Sequence, residues 1–157
     1  MAFEIYVEEN LNKNEKYAQL LPQIKSLVEN ETDLIANLAN ICAALKYTMN
    51  FLWVGFYRVE GEELVLSVFQ GPVACTRFSI QKGVCGACVR QKQPIIVPNV
   101  HLFEGHIACN HQSNSEIVIP VLKNGTVSWV LDIDSEHFDC FDEADVFFLQ
   151  KILELVF

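Results

Sequence analysis

The sequence predicts an α+β domain in which helices pack against a central sheet rich in antiparallel strands. Two segments near the N-terminus and one at the C-terminus carry apolar residues at helical spacing. The segments between them are rich in β-branched and aromatic residues and contain hairpin turns. The resulting order of helix, helix, three strands, short helix, strand, hairpin and helix is typical of an α+β fold.

Composition indicates one compact domain. The chain has 157 residues, of which 51% are hydrophobic, and a chain of this size buries about two thirds of the surface of its unfolded form. The net charge of −9 and the lack of clustered Lys and Arg disfavour nucleic acid and membrane surfaces as partners. The sequence shows neither a secretion signal nor a long apolar run, so we expect a cytoplasmic protein.

Two helices are predicted within residues 14–47. The first contains Pro22, so either it kinks there or a new turn begins with this proline. Thr32 or Asp33 can cap the second helix. Cys42 falls on the apolar face of that helix, which indicates a core residue.

The region 51–135 is expected to hold the sheet and its loops. Residues 51–59 and 64–69 form a predicted hairpin around the turn at 60–63. Alternation places Trp53, Gly55 and Tyr57 on one face of the first strand. Because both faces of this strand are apolar, that face either packs in the core or lines a pocket.

A long polar connection follows the short elements in the middle of the chain. Residues 75–80 and 95–98 predict short strands, and 82–91 predicts a short helix opened by a glycine turn. Residues 99–115 form a loop of a length that is usually functional or mobile. This loop contains four residues with ligand or nucleophile chemistry: His101, His106, Cys109 and His111.

The clearest hairpin joins 117–122 to 127–133 through Asn124-Gly125, a pair that favours a type I′ turn. Counting back from this turn sets Glu116 opposite Ile133. Asp132 and Asp134 share one face of the second strand. The three carboxylates therefore form either a pocket wall that holds a cation or a shared proton, or an exposed acidic rim. A last helix is predicted at 142–156.

The six cysteines indicate buried hydrophobes, metal ligands or redox-active thiols before a structural disulfide framework. Cys75, Cys85 and Cys109 lie in or beside loops and glycine turns, where two sulfur atoms can approach one another. Cys85 and Cys88 form a C-x-x-C at a predicted helix start, although a thioredoxin-like protein has this motif after its first strand. The histidines of the long loop lack the paired spacing of a typical zinc site.

Six strings, in this order, resemble the free methionine-(R)-sulfoxide reductases, a family of single GAF domains. They are Trp53-Val54-Gly55-Phe56-Tyr57, Phe69-Gln70-Gly71-Pro72-Val73-Ala74-Cys75, Gly83-Val84-Cys85-Gly86, Gly105-His106-Ile107-Ala108-Cys109, Ser113-Asn114-Ser115-Glu116-Ile117 and Leu131-Asp132-Ile133-Asp134-Ser135. The resemblance extends from about Tyr17 to the last helix. It implies one GAF domain over residues 1–157.

The resemblance also implies roles for individual residues. Cys109 matches the nucleophile, and Cys75 and Cys85 match the thiols that resolve or recycle it, with the choice between those two left open. The aromatic wall that holds the S-methyl end of the substrate corresponds to Trp53 and Tyr57. The carboxylates that hold the amino group and the sulfoxide oxygen correspond to Glu116, Asp132 and Asp134. Two residues depart from the family pattern, Cys88 in place of a non-thiol residue and Asn110 where aspartate is common.

The expected activity is reduction of free L-methionine-(R)-sulfoxide to methionine. A thiolate attacks sulfur while a carboxylic acid, Glu116 or Asp134, protonates or polarises the sulfoxide oxygen. The resulting sulfenic acid on Cys109 forms a disulfide that thioredoxin reduces, and this thiol chemistry needs no metal or organic cofactor. The resemblance further implies a homodimer. The alternatives are a non-catalytic GAF module that senses a small ligand, and a zinc-binding structural protein that uses the loop from His101 to His111.

Overall fold

A computed structural model describes residues 3–157, and it contains four α-helices and one six-stranded sheet. The elements are α1 (Lys13–Val28), α2 (Leu34–Met49), β1 (Trp53–Glu60), β2 (Glu63–Gln70), β3 (Arg77–Ser79), α3 (Gly83–Gln91), β4 (Ile95–Val97), β5 (Ser115–Lys123), β6 (Thr126–Ser135) and α4 (Glu143–Leu153). The predicted α+β class is confirmed. Residues 1 and 2 of the expected domain lie outside the described residues.

The sheet has the strand order β3-β2-β1-β6-β5-β4, and all neighbouring strands are antiparallel. The two hairpins therefore meet at the centre of the sheet, where β1 pairs with β6. Asn124 and Gly125 both have positive φ, at 52° and 75°, as a type I′ turn requires. This turn brings β5 back beside β6.

The predicted register of that hairpin was wrong by one residue. Counting from the turn set Glu116 opposite Ile133, whereas the structure pairs Glu116 with Asp134. A register shift between Val121 and Leu122 is the reason, because β6 carries one extra residue there. A bulge of this kind leaves the turn unchanged and moves every later pair. Glu116 and Asp134 are consequently direct cross-strand neighbours.

Three helices cover one face of the sheet. Helices α1, α2 and α4 bury their apolar sides against residues of β1, β5 and β6, and together these form the larger core cluster. Helix α1 runs continuously through Pro22, and α2 is capped by Asp33, whose side chain accepts from the amide of Ala36. Cys42 is fully buried in this core, as its position on the helix predicted.

The opposite face of the sheet is covered by α3 and by the long loop. Its cluster includes Trp53 and Tyr57 from β1, Val118 from β5, and Cys85 and Cys88 from α3. The long loop contains a short 3₁₀ turn, Val100–Leu102, that the sequence pattern did not predict. Since α3 is short, this side of the sheet leaves room for a pocket. No helix among residues 3–157 is long and apolar enough to cross a membrane.

The first and last helices are joined by one buried ionic network. Asp145 has no exposed surface and accepts hydrogen bonds from the Tyr17 hydroxyl at 2.8 Å and from Lys13 Nζ at 2.5 Å. It also accepts from the backbone amide of Asp142, which completes a capping box at the start of α4. One carboxylate thus fixes both the start of α4 and its contact with α1.

Replacing Asp145 with alanine should lower the free energy of unfolding by about 3 kcal/mol, because the buried Tyr17 hydroxyl loses its acceptor and Lys13 loses one of its two acidic partners. Chemical denaturation of the two proteins measures this difference. Glu143→Ala is the matched control, since Glu143 is an exposed acid in the same helical turn. A loss for Asp145→Ala no larger than that of the control would contradict the structural role of Asp145.

Candidate active site

A pocket opens between the start of α3, the long loop and the face of the sheet that these two cover. Its lining combines aromatic, acidic and thiol side chains: Leu52, Trp53, Tyr57, Val73, Ala74, Phe78, Gly83, Val84, Cys85, His106, Ile107, Cys109, Asn110, Ser113, Glu116, Asp132 and Asp134. All of the residues that the resemblance assigns to catalysis or substrate binding line it except Cys75, which is bonded to one that does. The pocket therefore unites the candidates in one place.

The aromatic wall stands on β1. Trp53 stacks on Tyr57 and on Phe69, with ring centroids 5.9 and 5.4 Å apart, and Trp53 Nε1 donates to the carbonyl of Pro72 at 3.1 Å. Its ring lies over Gly55, where a Cβ atom would collide with the indole. A glycine at the middle position of the face is thus what lets the indole lie flat against the strand.

The acidic wall is set by strand register. Asp134 lies between Trp53 on one neighbouring strand and Glu116 on the other, and Asp132 lies between Gly55 and Val118. Antiparallel pairs of this kind place side chains on the same face. The three carboxylates therefore share one side of the sheet, next to the aromatic wall. This confirms their predicted proximity although the register that predicted it was wrong.

Burial raises the pKa of all three carboxyl groups, and the charges of neighbouring carboxylates raise the pKa of two of them further. For Glu116, 6% exposed, burial is the main cause of a pKa well above the ordinary value, and the charges of Asp132 and Asp134 add to it. Asp132, 7% exposed, has its pKa raised by burial and by Asp134. Burial raises the pKa of Asp134 to about 6, against the lowering effect of the Ser113 hydroxyl that donates to it. At least one proton is thus shared in this cluster near neutral pH.

The long loop closes the pocket and is anchored at its base. The amide of Val100 donates to the carbonyl of Asn114 at 3.0 Å, and the amide of Asn114 donates to Ser135 at 2.8 Å. His101 Nε2 donates to the Asn114 side chain at 2.8 Å. His101 therefore stabilises the base of the loop, outside the pocket.

His106 is the histidine that reaches the pocket. Its Nε2 lies 3.8 Å from Glu116 Oε2, and burial together with nearby His101 lowers its pKa. His111 is exposed. Among residues 3–157 the three loop histidines and Cys109 do not converge into a metal-ligand set. The structure thus gives no support to the zinc site considered for this loop.

Two of the site thiols are joined. Cys75 and Cys109 form a disulfide with their Cα atoms 5.6 Å apart, and the Tyr57 hydroxyl donates to the carbonyl of Cys75 at 3.0 Å. The aromatic wall therefore positions the backbone of one partner. Cys109 is exposed and Cys75 is partly exposed, so the disulfide is open to solvent.

The remaining two thiols of this region are buried in α3. Cys85 is 3% exposed, and burial raises its pKa well above the ordinary value, with Asp132 and Glu116 adding to the effect. Cys88 is fully buried and its thiol contacts the carbonyl of Val118 at 3.8 Å. Neither sits at the solvent-exposed tip of the helix, as a thioredoxin-like motif would.

Sequence reasoning missed two groups that shape the pocket. Ser113 donates to Asp134, and Phe78 packs edge-on against Tyr57 at 5.0 Å between ring centroids. Ser113 lay within a string already noted, and its place just before a strand that carries a carboxylate was the available signal. Phe78 belongs to a three-residue strand, too short to show which face it presents.

Comparisons with known proteins agree with this architecture. A model of the GAF domain family matches residues 29–156. The chain is 53% identical to GAF domain-containing protein A of Dictyostelium discoideum, covering 92% of both chains. It is 43% identical to a free methionine-R-sulfoxide reductase of Escherichia coli, over 86% of this chain and 82% of that protein. A structure of free methionine-R-sulfoxide reductase from Neisseria meningitidis in complex with its substrate superimposes with a TM-score of 0.94 at 42% identity, covering 99% of this chain and 93% of that one.

The raised pKa of Asp134 predicts a pH dependence of stability. In the unfolded chain this group ionises near its ordinary pKa of 3.8, and in the folded protein at about 6. Above pH 6 the folded state must therefore hold a charge that burial opposes, a penalty that is absent below pH 4. The stability advantage of wild type over Asp134→Asn should fall by about 2 kcal/mol between pH 4 and pH 7. Urea unfolding of both proteins across this range measures it, and parallel profiles would contradict the assignment.

Proposed function

The chain belongs to the free methionine-(R)-sulfoxide reductases, a family of GAF domains, and from that membership we propose that it reduces free L-methionine-(R)-sulfoxide to methionine with Cys109 as the nucleophile. One observation carries the proposal: Cys109 lines the same pocket as three carboxylates and an aromatic wall, and it is already bonded to Cys75. A thiol, an acid and a second thiol are the groups that this reduction needs.

The walls of the pocket match the two ends of a small zwitterion. The ammonium group of the substrate is attracted to the carboxylates of Glu116, Asp132 and Asp134, whose mutual repulsion it relieves. The S-methyl end packs against the rings of Trp53 and Tyr57. Because the two walls are adjacent on neighbouring strands, one molecule the size of an amino acid contacts both.

The chemical step begins with the thiolate of Cys109 attacking the sulfoxide sulfur. A protonated carboxyl group, for which buried Glu116 is the best placed and Asp134 the second, donates a proton to the sulfoxide oxygen. The protonated oxygen then passes as a hydroxyl group from the substrate sulfur to the Cys109 sulfur, while the transient sulfur–sulfur bond and the sulfur–oxygen bond of the substrate both break. The substrate gains two electrons and leaves as methionine, and Cys109 loses two electrons and becomes a sulfenic acid.

Cys75 is the thiol that resolves this sulfenic acid in our proposal. Attack by the thiol of Cys75 expels water and forms the Cys75–Cys109 disulfide, the bond present in the structure. Cys85 is a poorer resolving thiol, because burial raises its pKa and disfavours the thiolate. We propose that Cys85, which lies next to Asp132, acts after Cys75, in the recycling of the disulfide.

The partly exposed disulfide suits reduction by an external dithiol protein. Cys109 is exposed and Cys75 is partly so, which a thiolate of thioredoxin requires for attack on a sulfur atom. We also propose, from the family, that the protein is a cytoplasmic homodimer that acts under oxidative stress. Neither a metal nor an organic cofactor enters any step of this thiol chemistry.

The thiol roles can be separated by single turnovers of reduced protein without added reductant. Wild type should release one equivalent of methionine from the R sulfoxide and form a Cys75–Cys109 disulfide, identified by mass mapping. Cys109→Ser should release none. Cys75→Ser should release one equivalent and leave a sulfenic acid on Cys109 that dimedone traps. Methionine release by Cys109→Ser would sink the assignment of the nucleophile.

Cys88→Ser and Cys140→Ser are the matched controls for that experiment. Both thiols are free in the structure and neither lines the pocket, so each variant should behave as wild type. A Cys85–Cys109 disulfide as the first product in wild type would show instead that Cys85 resolves.

Removing the acid should slow turnover. Glu116→Gln keeps the shape of the side chain and removes the transferable proton, so kcat/KM should fall by about 100-fold or more. Steady-state kinetics with a thioredoxin system measures it. Glu104→Gln is the control, since Glu104 is an exposed glutamate on the long loop that does not line the pocket, and its kinetics should be unchanged. Equal activity of both variants would remove Glu116 from the chemical step.

A further inference from the structure

Three side chains that line the pocket, two of them from the acidic wall, have metal-ligand chemistry. The Sγ of Cys85 and one oxygen each of Glu116 and Asp132 all lie within 4.8 Å of one another. They come from α3, β5 and β6, so the helix and the sheet hold them from two sides. We propose that this cluster binds a divalent cation that favours sulfur, Zn²⁺ or its analogues Co²⁺ and Cd²⁺, in competition with the substrate.

An unpartnered oxygen marks the cluster as a place for a positive group. The Oδ1 of Asp132 is buried and receives no hydrogen bond from the residues that the structure describes. A buried carboxylate oxygen that has lost its water is costly unless a proton or a cation replaces it. His106, the one basic side chain lining the pocket within residues 3–157, approaches Glu116 from the loop. The Oδ1 atom of Asp132 is therefore available to a ligand.

The donor set selects the class of cation. Mg²⁺ and Ca²⁺ prefer six or more oxygen ligands, whereas one thiolate with two carboxylates suits Zn²⁺. Zinc bonds of about 2.3 Å to sulfur and about 2.1 Å to oxygen place tetrahedral ligands about 3.5 Å apart. The three atoms therefore need to approach one another by no more than about 1 Å. Binding releases the thiol proton of Cys85 and the carboxyl proton of the cluster to solvent, and water fills the fourth position.

The cation and the substrate ammonium need the same oxygens. Glu116 and Asp132 belong both to the cation-binding cluster and to the carboxylates that bind the substrate ammonium group. A bound cation therefore blocks the pocket, and a bound amino acid excludes the cation. Only this competition rests on the proposed function. Binding of the cation follows from the cluster alone and is measurable in protein that turns nothing over.

The first experiment titrates the oxidised protein with Co²⁺. With the Cys75–Cys109 disulfide closed, Cys85 is still a free thiol. We expect one equivalent of Co²⁺ to bind with a thiolate-to-cobalt charge-transfer band. Cys85→Ser should lose the band and bind Zn²⁺ more than about 100-fold more weakly in equilibrium dialysis, because loss of a direct ligand costs more than the roughly 10–100-fold typical of an outer-shell partner. Asp132→Asn should weaken binding to a similar degree.

Cys88→Ser is the matched control, because Cys88 is a buried thiol on the same helix that lies outside the cluster. It should keep both the band and the affinity. Far-UV circular dichroism establishes that each variant is folded, and Zn²⁺ should raise the unfolding temperature of wild type and Cys88→Ser but not of Cys85→Ser. The absence of a band in wild type, or its persistence in Cys85→Ser, overturns the proposal.

A second experiment tests competition. Reduced protein incubated with Zn²⁺ should release methionine from the sulfoxide more slowly in a single turnover, with the rate restored by EDTA or by excess substrate. Unchanged rates at saturating Zn²⁺ would overturn the shared site. If oxidised protein binds Co²⁺ as described but no methionine forms with or without metal, the proposed function fails while the cation site stands.

Discussion

The crowding of three carboxyl groups on one face of the sheet is the constraint on which the site depends. Glu116 and Asp134 are direct cross-strand neighbours, and Asp132 follows on the same face. Three ionised groups in this buried setting would repel one another strongly. Burial raises the pKa of all three, and neighbouring charges raise those of Glu116 and Asp132 further. The folded protein tolerates them only as a partly protonated set or with a cation among them. In the proposed mechanism, this crowding provides both the proton for the sulfoxide oxygen and the binding site for the ammonium group of the substrate.

Hydrophobic packing on the other face of the sheet offsets the free energy that burying the three carboxyl groups costs. On the other face of the same strands, Ile117, Leu131 and Ile133 are fully buried under three helices. Strand alternation thus separates a hydrocarbon face from an acidic one within the same few residues. The ionic network around Asp145, whose residues do not line the pocket, holds two of those helices together. The unfavourable burial of charge at the site is therefore offset by the packing of residues that do not line the pocket.

Sequence patterns predicted the elements and the members of the site better than their exact geometry. Periodicity was sufficient for the helices and for the Asn124-Gly125 hairpin, because these follow from local chemistry. The one-residue bulge near Val121 depends on packing between strands and leaves no local signal. The same limit applies to the thiols: spacing placed Cys75 and Cys109 in loops, but their pairing depends on how two loops meet over the pocket. Local patterns identify residues, and tertiary packing decides which of them touch.

The differing environments of the cysteines divide their chemistry. A thiol acts as a nucleophile only as a thiolate, so burial in an acidic, apolar setting suppresses reactivity, and exposure on a loop permits it. Cys109 is exposed and Cys75 partly so, whereas burial and neighbouring carboxyl groups raise the pKa of Cys85. The sulfur atoms of Cys75 and Cys109 are therefore suited to thiol–disulfide exchange. The buried sulfur atom of Cys85 is suited to a hydrogen bond or to a cation. In the proposed mechanism, the acidic cluster that supplies the proton also adds to the effect of burial in keeping the Cys85 thiol protonated, so that Cys85 does not compete with Cys75 for the sulfenic acid.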